Sequence, residues 1–436
     1  KIPEISIPPI ERTTLANGLH VVAAKDDLPQ ITVSISIGYG RLYESKETAG
    51  MSDIIAKALS FSGSKKYPGM KLHNAIESMG GKFSVYAGWE STTITIKVLS
   101  RFANKAFDIV SDLILHPNFN KTHLMISKRI IKDQIKRKTD RPMHIAFEKV
   151  REIIFLGNGY GAVMTEKKID GYSLEKVRKT WNRYFVAKNA LVGISTNLPW
   201  NKIKKSVKLL ISWESGKKQS YHAKLIENQK NVKKFKKTIF YFEKNIPQAS
   251  VVMGTVGPTI HNKGNHALHV MNYILGGGSF NSRLMREIRV KRGLAYSVGS
   301  IMRARWKTGV FLSYVQTKPQ AVNTVINLIK SNVQSMIDSP IGMNEINWAK
   351  NSINNSYIFN FSTPMSIVSN ELDIQFYSLP KNYYTNYLTY INKVNPIDII
   401  KESKKIFSFG LITVVVGKKS LINSLKKLGD VVVLKK

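Results

Sequence analysis

The sequence predicts an α+β protein built from two homologous halves, each a mostly antiparallel sheet with helices packed on it. Segments in which apolar and polar residues alternate, such as 31–37 and 92–99, predict strands, and amphipathic segments between them predict helices. Hairpin-type turns between strands favour antiparallel pairing. The same order of elements occurs twice along the chain, so we expect a duplicated fold.

The first copy begins with a hairpin over 13–24, because Asn17-Gly18 lies between two short β-prone runs. Two half-buried strands are then expected, one on each side of a pair of helices. The second helix of that pair should stop at Gly80-Gly81, since glycine favours helix ends. The predicted strands are 31–37 (ITVSISI) and 92–99 (TTITIKVL), and the predicted helices are 49–59, 70–79, 104–115 and 121–138.

The second copy repeats this order with small changes in loop length. Matching residues are 212 positions apart at Ile76 and Ile288 and 218 apart at Pro29 and Pro247. A repeat of this length is a domain, not a solenoid unit. The predicted strands lie within 239–256, from Tyr296 onward and at 310–315, and the predicted helices are 265–275, 281–290 and 320–337.

The repeat divides the chain into three parts. Residues 1–213 form the N-terminal half and residues 238–436 the C-terminal half. Residues 214–237 between them are rich in Lys, Gln, Ser and Asn and poor in apolar residues. We expect this stretch to be a basic linker containing at most a short strand.

The chain is strongly basic, with 66 Lys and Arg against 29 Asp and Glu, a formal charge of +37. Such charge is compatible with nucleic-acid binding, with attraction to an anionic membrane surface or an acidic partner, or with a compositional bias towards Lys, Ile and Asn. The basic residues are scattered along the chain, and no nucleic-acid motif or interleaved aromatic pattern accompanies them. We therefore expect no nucleic-acid partner.

Composition also bears on redox chemistry and membrane insertion. The chain has no cysteine, which excludes disulfides, thiolate zinc sites and cysteine nucleophiles. No apolar run approaches the roughly 20 residues that span a bilayer, so no transmembrane segment is expected. The chain begins at Lys1 instead of Met, so we expect that it has been trimmed, and no signal peptide is visible in it.

Several short motifs, in a fixed order, carry a resemblance to a known family. No single motif decides it, but the ordered set over residues 13–300 is specific. The chain resembles the pitrilysin/insulinase-type metallopeptidases and the related subunits of mitochondrial processing peptidase. The motifs are LANGL at 15–19, Ala49-Gly50, GSKKYP at 63–68, IESMGG at 76–81, LGGGSFNSRL at 275–284 and REIRVKRGLAYSV at 286–298.

The zinc motif of that family is missing here. Active members carry HxxEH on the helix after Ala49-Gly50, where two His bind zinc and a Glu acts as general base. The corresponding positions are Asp53, Ala56 and Lys57. A third ligand is expected from a downstream Glu, where Gln134 or Asp133 stands. A protonated Lys has no lone pair and an Ala cannot activate water, so we expect no metal in this chain.

A second part of the family's machinery is intact. The resemblance implies that an Arg and a Tyr seven residues apart, here Arg289 and Tyr296, reach the cleavage site from the C-terminal half. A Tyr hydroxyl can donate to the oxyanion formed at the peptide carbonyl, and an Arg can hold a neighbouring carbonyl. Without the resemblance, the favoured interpretation is a solvated helix-end cation and a packing aromatic.

Two further features allow more than one interpretation. Gly276, Gly277 and Gly278, followed by Ser279 and Phe280, fit a loop that a bound peptide approaches closely, or simply the stop of the preceding helix. His266 and His269 lie one helical turn apart. With no third ligand near them in sequence, they are expected to be structural.

The resemblance implies a non-zinc-binding subunit of a two-chain zinc peptidase. A homologous partner with HxxEH would supply zinc, and this chain would contribute Arg289, Tyr296 and peptide-binding surface. The alternatives are a catalytically inert structural or peptide-binding homologue and a nucleic-acid-binding protein. Because bacterial relatives of this kind are often exported, we expect a periplasmic or otherwise exported location, with the cytoplasm as the alternative.

Overall fold

The computed structural model describes residues 7–220 and 225–434 and contains two six-stranded sheets. The prediction of two α+β halves is confirmed. The strands of the first sheet are β1 Ile10–Thr14, β2 His20–Lys25, β3 Gln30–Ile37, β4 Lys82–Ala87, β5 Thr92–Leu99 and β6 Ala190–Thr196. Those of the second are β7 Thr238–Glu243, β8 Ala249–Gly257, β9 Ala295–Arg303, β10 Gly309–Thr317, β11 Ile412–Gly417 and β12 Asp430–Leu434.

The helices lie between the strands in a similar arrangement in both halves. The first half contains α1 Met51–Ser62, α2 Met70–Glu77, α3 Ala103–Leu115, α4 Lys121–Thr139, α5 Pro142–Ile154, α6 Glu166–Asp170, α7 Leu174–Tyr184 and α8 Trp200–Val207. The remaining helices are α9 Leu225–Phe235, α10 Asn265–Asn272, α11 Val322–Asp338, α12 Met343–Tyr357, α13 Pro364–Tyr377, α14 Tyr387–Lys393, α15 Pro396–Phe407 and α16 Ile422–Leu425.

The two sheets share one topology, which explains the sequence repeat. The spatial orders are β1-β2-β6-β3-β5-β4 and β12-β7-β11-β8-β10-β9. The last five strands of the first order, β2-β6-β3-β5-β4, match the last five of the second, β7-β11-β8-β10-β9. In both sheets one central pair is parallel, β2 with β6 and β7 with β11. Strand β1 pairs antiparallel with β2, whereas β12 is parallel to β7. Strands β4 and β9 lie at the ends of their sheets, and no other strand of the described residues pairs with their outer edges.

The two halves exchange one helix each. Helix α13 of the second half packs on β2 and β6, and α5 of the first half packs on β8 and β11. Period-two alternation makes this possible: Val21 of β2 faces the core of its own half, while Val22 contacts α13. The central strands β6 and β8 are therefore buried on both faces, whereas alternate residues of the edge strand β4 remain exposed.

This exchange corrects the expectation that 31–37 is a half-buried strand. Thr32 and Ser34 are 7% and 5% exposed, nearly as buried as the apolar residues that alternate with them. The hydroxyl of Ser34 lies 3.3 Å from that of Thr95 on the neighbouring strand, which satisfies part of its hydrogen-bonding capacity. Alternation predicts which face a residue takes but not that the second face is covered by another part of the chain.

The linker expectation for 214–237 also needs correction within the described residues. Instead of a short strand, the stretch contains helix α9, which packs on α5 and β8. Val232 is fully buried there, Phe235 contacts the same cluster, and Asn231 donates its side-chain amide to the Ile153 carbonyl. Two apolar residues three apart are enough to anchor one helical face. Residues 221–224 of the predicted linker lie outside the described residues.

Candidate functional site

The positions of the missing zinc ligands lie together, as the family motif requires. Helix α1 carries Asp53, Ala56 and Lys57, and it packs against α4, which carries Gln134. Ala56 is 3% exposed, so it belongs to the packing between elements instead of facing a substrate. The two helices that carry the zinc ligands in the family are packed together here, but the residues at the ligand positions have changed.

Asp53 is held by a cation. The Arg41 guanidinium donates to both carboxylate oxygens of Asp53, at 3.2 and 3.3 Å. A carboxylate paired in this way offers its lone pairs to Arg41 instead of a metal. In residues 7–220 and 225–434, no group of three His, Asp or Glu side chains is placed to hold a metal ion.

The two adjacent histidines lie in an aromatic cluster. His269 Nδ1 is 2.6 Å from the Tyr387 hydroxyl, and the His266 ring packs against Tyr387 and Tyr390. Burial, followed by the neighbouring His266 and Arg303, lowers the pKa of His269 to about 4. A neutral imidazole bonded to tyrosine fits the structural interpretation.

The glycine triplet Gly276–Gly278 is explained by internal packing. Helix α10 runs into a π-helical turn over Tyr273–Gly277, and the chain then enters Ser279 with a positive φ of 55°. A Cβ on Gly276 would lie 2.6 Å from the Ser300 backbone nitrogen. One on Gly278 would lie 2.4 Å from the Trp348 ring. The missing side chains therefore point into the protein, where nothing larger than hydrogen fits.

We expect Gly278→Ala to destabilise the C-terminal half by about 1–3 kcal/mol, because the added methyl must displace the Trp348 ring and the Tyr273 carbonyl. Urea denaturation followed by tryptophan fluorescence measures the change. Gly342→Ala is the matched control, since a Cβ there meets nothing within 4 Å. Equal midpoints for the two variants would contradict the packing explanation.

The helix predicted over 281–290 is wrong in type. A 3₁₀ turn at Ser279–Asn281 is followed by a π-helical segment at Met285–Val290, not by an α-helix. Apolar spacing cannot distinguish these forms, because Leu284 and Ile288 are buried either way. Short π-helical segments occur frequently at functional sites.

This segment brings together Phe280, Arg289 and Tyr296. The Arg289 guanidinium carbon lies 5.0 Å from the Phe280 ring centroid and 4.9 Å from the Tyr296 ring centroid. Phe280 is 59% and Tyr296 79% exposed. In the part of the chain that the structure describes, the Tyr296 hydroxyl has no hydrogen-bond partner. We call these three residues the aromatic–arginine stack.

Arg289 differs from the other basic residues of the segment. The others have carboxylate partners: Arg283 and Arg286 contact Glu345, at 2.6 and 3.6 Å, and Lys291 and Arg292 contact Glu287, each at 2.7 Å. Arg289 has no carboxylate within 4.0 Å among the described residues. The other cations are paired with carboxylates at the protein surface, whereas the guanidinium of Arg289 contacts only aromatic rings among the described residues.

Sequence reasoning missed a second assembly, at the contact between the halves. Glu90, in the β4–β5 turn, is buried and accepts hydrogen bonds from the Tyr160 and Tyr377 hydroxyls and from the Trp306 backbone nitrogen. The adjacent Trp89 contacts three arginines. These residues come from segments far apart in the chain, so no local pattern could have indicated them.

Comparison with known proteins identifies the family. The model described as "Insulinase (Peptidase family M16)" matches residues 20–166, and "Peptidase M16 inactive domain" matches 171–353. The chain belongs to the M16 peptidase family. The C-terminal match is to the inactive domain of that family, and the zinc-ligand positions hold Asp53, Ala56 and Lys57, which supports a member that is inert as a peptidase by itself.

Relatives of this M16 chain carry several kinds of name. It is 24% identical to an uncharacterized zinc protease of Rickettsia bellii, covering 93% of this chain and 97% of that protein. It is 24% identical to the non-peptidase homolog YmxG of Helicobacter pylori, covering 84% of each. It is also 24% identical to cytochrome b-c1 complex subunit 1 of Bos taurus, covering 62% of this chain and 56% of that protein.

The fold agrees with this membership. A crystal structure of a peptidase M16 inactive domain from Pseudomonas fluorescens superposes with a TM-score of 0.82 at 18% identity, covering 94% of this chain and 98% of that chain. Among the described residues, no helix is both long and apolar enough to cross a membrane.

Proposed function

We propose that this M16 chain is the zinc-free subunit of a two-chain peptidase whose homologous partner carries HxxEH and zinc. The chain would contribute Arg289 and Tyr296 to the cleavage site. Gly276–Gly278, Ser279 and Phe280 would line the bound peptide. The metal, when bound in the partner, would supply a nucleophilic hydroxide and polarise the peptide carbonyl.

The observation that carries this proposal is the state of the aromatic–arginine stack. An unpaired guanidinium between two exposed aromatic rings gains only about 0.5–1 kcal/mol from each ring. Leaving two large aromatic rings exposed to water does not stabilise the isolated chain. The arrangement is understandable if another surface covers it, as a partner subunit and its peptide would.

The stack also supplies the groups that peptide cleavage requires. The Tyr296 hydroxyl is free to donate to an oxyanion, and Arg289 keeps unused N–H donors while the two rings fix its plane. Because the glycine triplet is explained by packing, its role would be to set the shape of the loop. The exposed side chain of Phe280 would then contact the bound peptide. An extended peptide could also add as a strand at the free edge of β4 or β9.

The proposal also covers the partner's charge and the compartment of the complex. A chain of +37 favours an acidic partner or acidic peptides, since opposite charge speeds association and selects against basic competitors. We place the complex in the periplasm or another exported compartment.

The second candidate is a structural or peptide-binding subunit without any role in cleavage. The similarity to the bovine cytochrome b-c1 subunit and to the non-peptidase homolog favours it. In that case the aromatic–arginine stack would cover a partner surface, and its hydroxyl would be dispensable.

Complex formation tests the proposal. This chain is mixed with an HxxEH-bearing homologue from the same source, and the mass of the species is measured by light scattering, with zinc counted in each. We expect a one-to-one complex with zinc confined to the partner. Two separate species at micromolar concentration would contradict the proposal.

A further inference from the structure

One end of the first sheet carries exposed apolar side chains that the proposed function does not use. The turn between β2 and β3 places Leu28 there, 60% exposed, and β5 ends at the same end with Leu99, 42% exposed. The two segments are joined, because the Ser100 backbone nitrogen donates to the Pro29 carbonyl at 3.0 Å. Two large aliphatic side chains therefore face solvent from neighbouring segments of a rigid sheet.

An open cavity of about 610 Å³ lies at this end of the sheet, between the start of α3 and helix α8. Helix α8 begins here because β6, which precedes it, runs parallel to β2. The Ser206 hydroxyl donates to the Asn104 side-chain oxygen at 2.8 Å and so joins α8 to α3. Three cations line the cavity: Arg101, Lys202 and Lys205.

The cations of this cavity are not neutralised within the protein. In residues 7–220 and 225–434, Arg101, Lys202 and Lys205 have no carboxylate within 4.0 Å. None of the described side chains that line the cavity is acidic. Elsewhere in the first half lysines are paired, as Lys132 is with Asp170 at 2.8 Å. A concave surface lined by charge of one sign concentrates ions of the other sign, so the cavity favours an anion.

The turn that carries Leu28 also contains two acidic residues, Asp26 and Asp27. Asp26 is buried and accepts hydrogen bonds from the Gln30 amide and the Ser195 hydroxyl, each at 2.9 Å. Asp27 is exposed, but the three cations of the cavity outnumber it. This end of the sheet therefore combines a net positive charge with two exposed leucines.

Helix α15 shows that basic and apolar residues alone do not set a surface apart on this chain. It exposes Ile397, Lys401 and Lys404, the same types of residue. The same helix, however, carries Asp398 and Glu402, which add negative charge to it. What distinguishes the end of the first sheet is that its cations surround a cavity without any acid among the described lining residues.

This combination fits the surface of a lipid bilayer better than a soluble anion. Surfaces that bind anionic membranes join cations, which approach the phosphates of the headgroups, to aliphatic side chains, which enter the boundary with the acyl chains. A free phosphate or an acidic protein segment held by the cations would leave Leu28 and Leu99 in water. A membrane surface engages the leucines and the cations at the same time.

We propose that this end of the first sheet docks on a membrane surface that contains anionic lipid. The cations of the cavity receive the phosphate of a lipid headgroup, and the two leucines enter the boundary between headgroups and acyl chains. The docking requires no membrane-spanning helix, zinc or partner subunit, so it is independent of the function proposed above. We call Leu28, Leu99, Arg101, Lys202 and Lys205 the docking face.

Sedimentation with lipid vesicles tests the proposal on the isolated full chain. The vesicles consist of phosphatidylcholine alone or of equal parts phosphatidylcholine and phosphatidylglycerol. We expect binding to the anionic vesicles to be stronger by about tenfold or more, because each cation near such a surface strengthens binding about fivefold. Equal binding to both kinds of vesicle, or binding to neither, overturns the proposal.

A double substitution of Lys202→Gln and Lys205→Gln should weaken binding to the anionic vesicles about 25-fold, the product of two fivefold effects. The matched control is Lys401→Gln with Lys404→Gln, which removes the same charge at the same spacing from two exposed positions of α15. Equal losses in both variants would mean that total charge, not the docking face, binds the membrane. Tyr296→Phe should bind vesicles as the wild type does, which separates this result from the proposed role in cleavage.

A fluorescent label reports whether the leucines enter the bilayer. Because the chain has no cysteine, Leu28→Cys creates a single site for a dye whose emission depends on the polarity around it. We expect a blue shift when anionic vesicles are added. The same dye at Ile397→Cys, an equally exposed aliphatic position, should show no shift. A dye at position 28 that stays in water on the bound chain contradicts the proposed orientation.

Soluble polyglutamate distinguishes a membrane from an acidic protein partner. If polyglutamate binds through Lys202 and Lys205 and the anionic vesicles do not bind, the docking face serves an acidic protein and the membrane proposal is wrong. If the vesicles bind and the dye at position 28 shifts, the membrane proposal holds.

Discussion

Tyr296→Phe, in the complex with the zinc-bearing partner, is expected to lower turnover on the order of 10²-fold, the effect of removing one oxyanion donor. The substitution removes only the hydroxyl. Because the ring remains, the contact with Arg289 at 4.9 Å is preserved and the stack should keep its geometry. Steady-state hydrolysis of a fluorogenic peptide measures the change in kcat.

Tyr390→Phe is the matched control for that measurement. Tyr390 is also exposed, at 46%, and within residues 7–220 and 225–434 its hydroxyl makes no hydrogen bond. Its loss should leave turnover unchanged. If Tyr296→Phe turns over peptide as fast as this control, Tyr296 has no part in cleavage, and the structural or peptide-binding function gains weight.

Glu90→Ala is expected to lower the free energy of unfolding by about 3 kcal/mol or more. Burial and the Glu90 carboxylate raise the pKa of Tyr160 and of Tyr377, so both hydroxyls stay protonated and donate. Tyr160 belongs to the first half, whereas Tyr377 ends α13 of the second. Removing their common acceptor leaves buried donors unsatisfied, at about 1–3 kcal/mol for each.

Denaturant unfolding monitored by tryptophan fluorescence measures this loss, because Trp89 and Trp306 lie beside Glu90. Glu11→Ala, at an exposed position of β1, removes the same charge and should change stability by less than about 0.5 kcal/mol. If both variants unfold at one denaturant concentration, the contact between the halves does not depend on Glu90.

Much of the fold could be predicted from local sequence patterns, and the exceptions have physical reasons. Strand and helix periodicity with glycine stops located most elements up to α4 and between β8 and α11, but none in residues 142–207 or 343–434. The internal repeat indicated two matching sheets. The exchange of α5 and α13 could not be predicted, because alternation does not say which helix covers a face. Helix α9 was missed for a related reason: among its described side chains, Val232 and Phe235 are the apolar residues that anchor it.

The candidate site was predictable where its residues lie close in sequence. Arg289 and Tyr296 are seven positions apart, and Phe280 lies on the same continuous segment, so the family motif contained all three. The sequence could not show that Arg289 contacts aromatic rings while the neighbouring basic residues pair with carboxylates. Those contacts are visible only in the three-dimensional structure. The three arginines that contact Trp89 come from separate segments, so no local sequence pattern could indicate them.

Peptide hydrolysis by this chain alone, by an HxxEH-bearing homologue alone and by their equimolar mixture tests the central claim most directly, with zinc counted in each sample. The account predicts hydrolysis in the mixture well above the sum of the separate proteins, with zinc only in the partner. Hydrolysis by this chain alone, with one zinc per chain, would contradict it, because Asp53, Ala56 and Lys57 would then not mark a lost metal site.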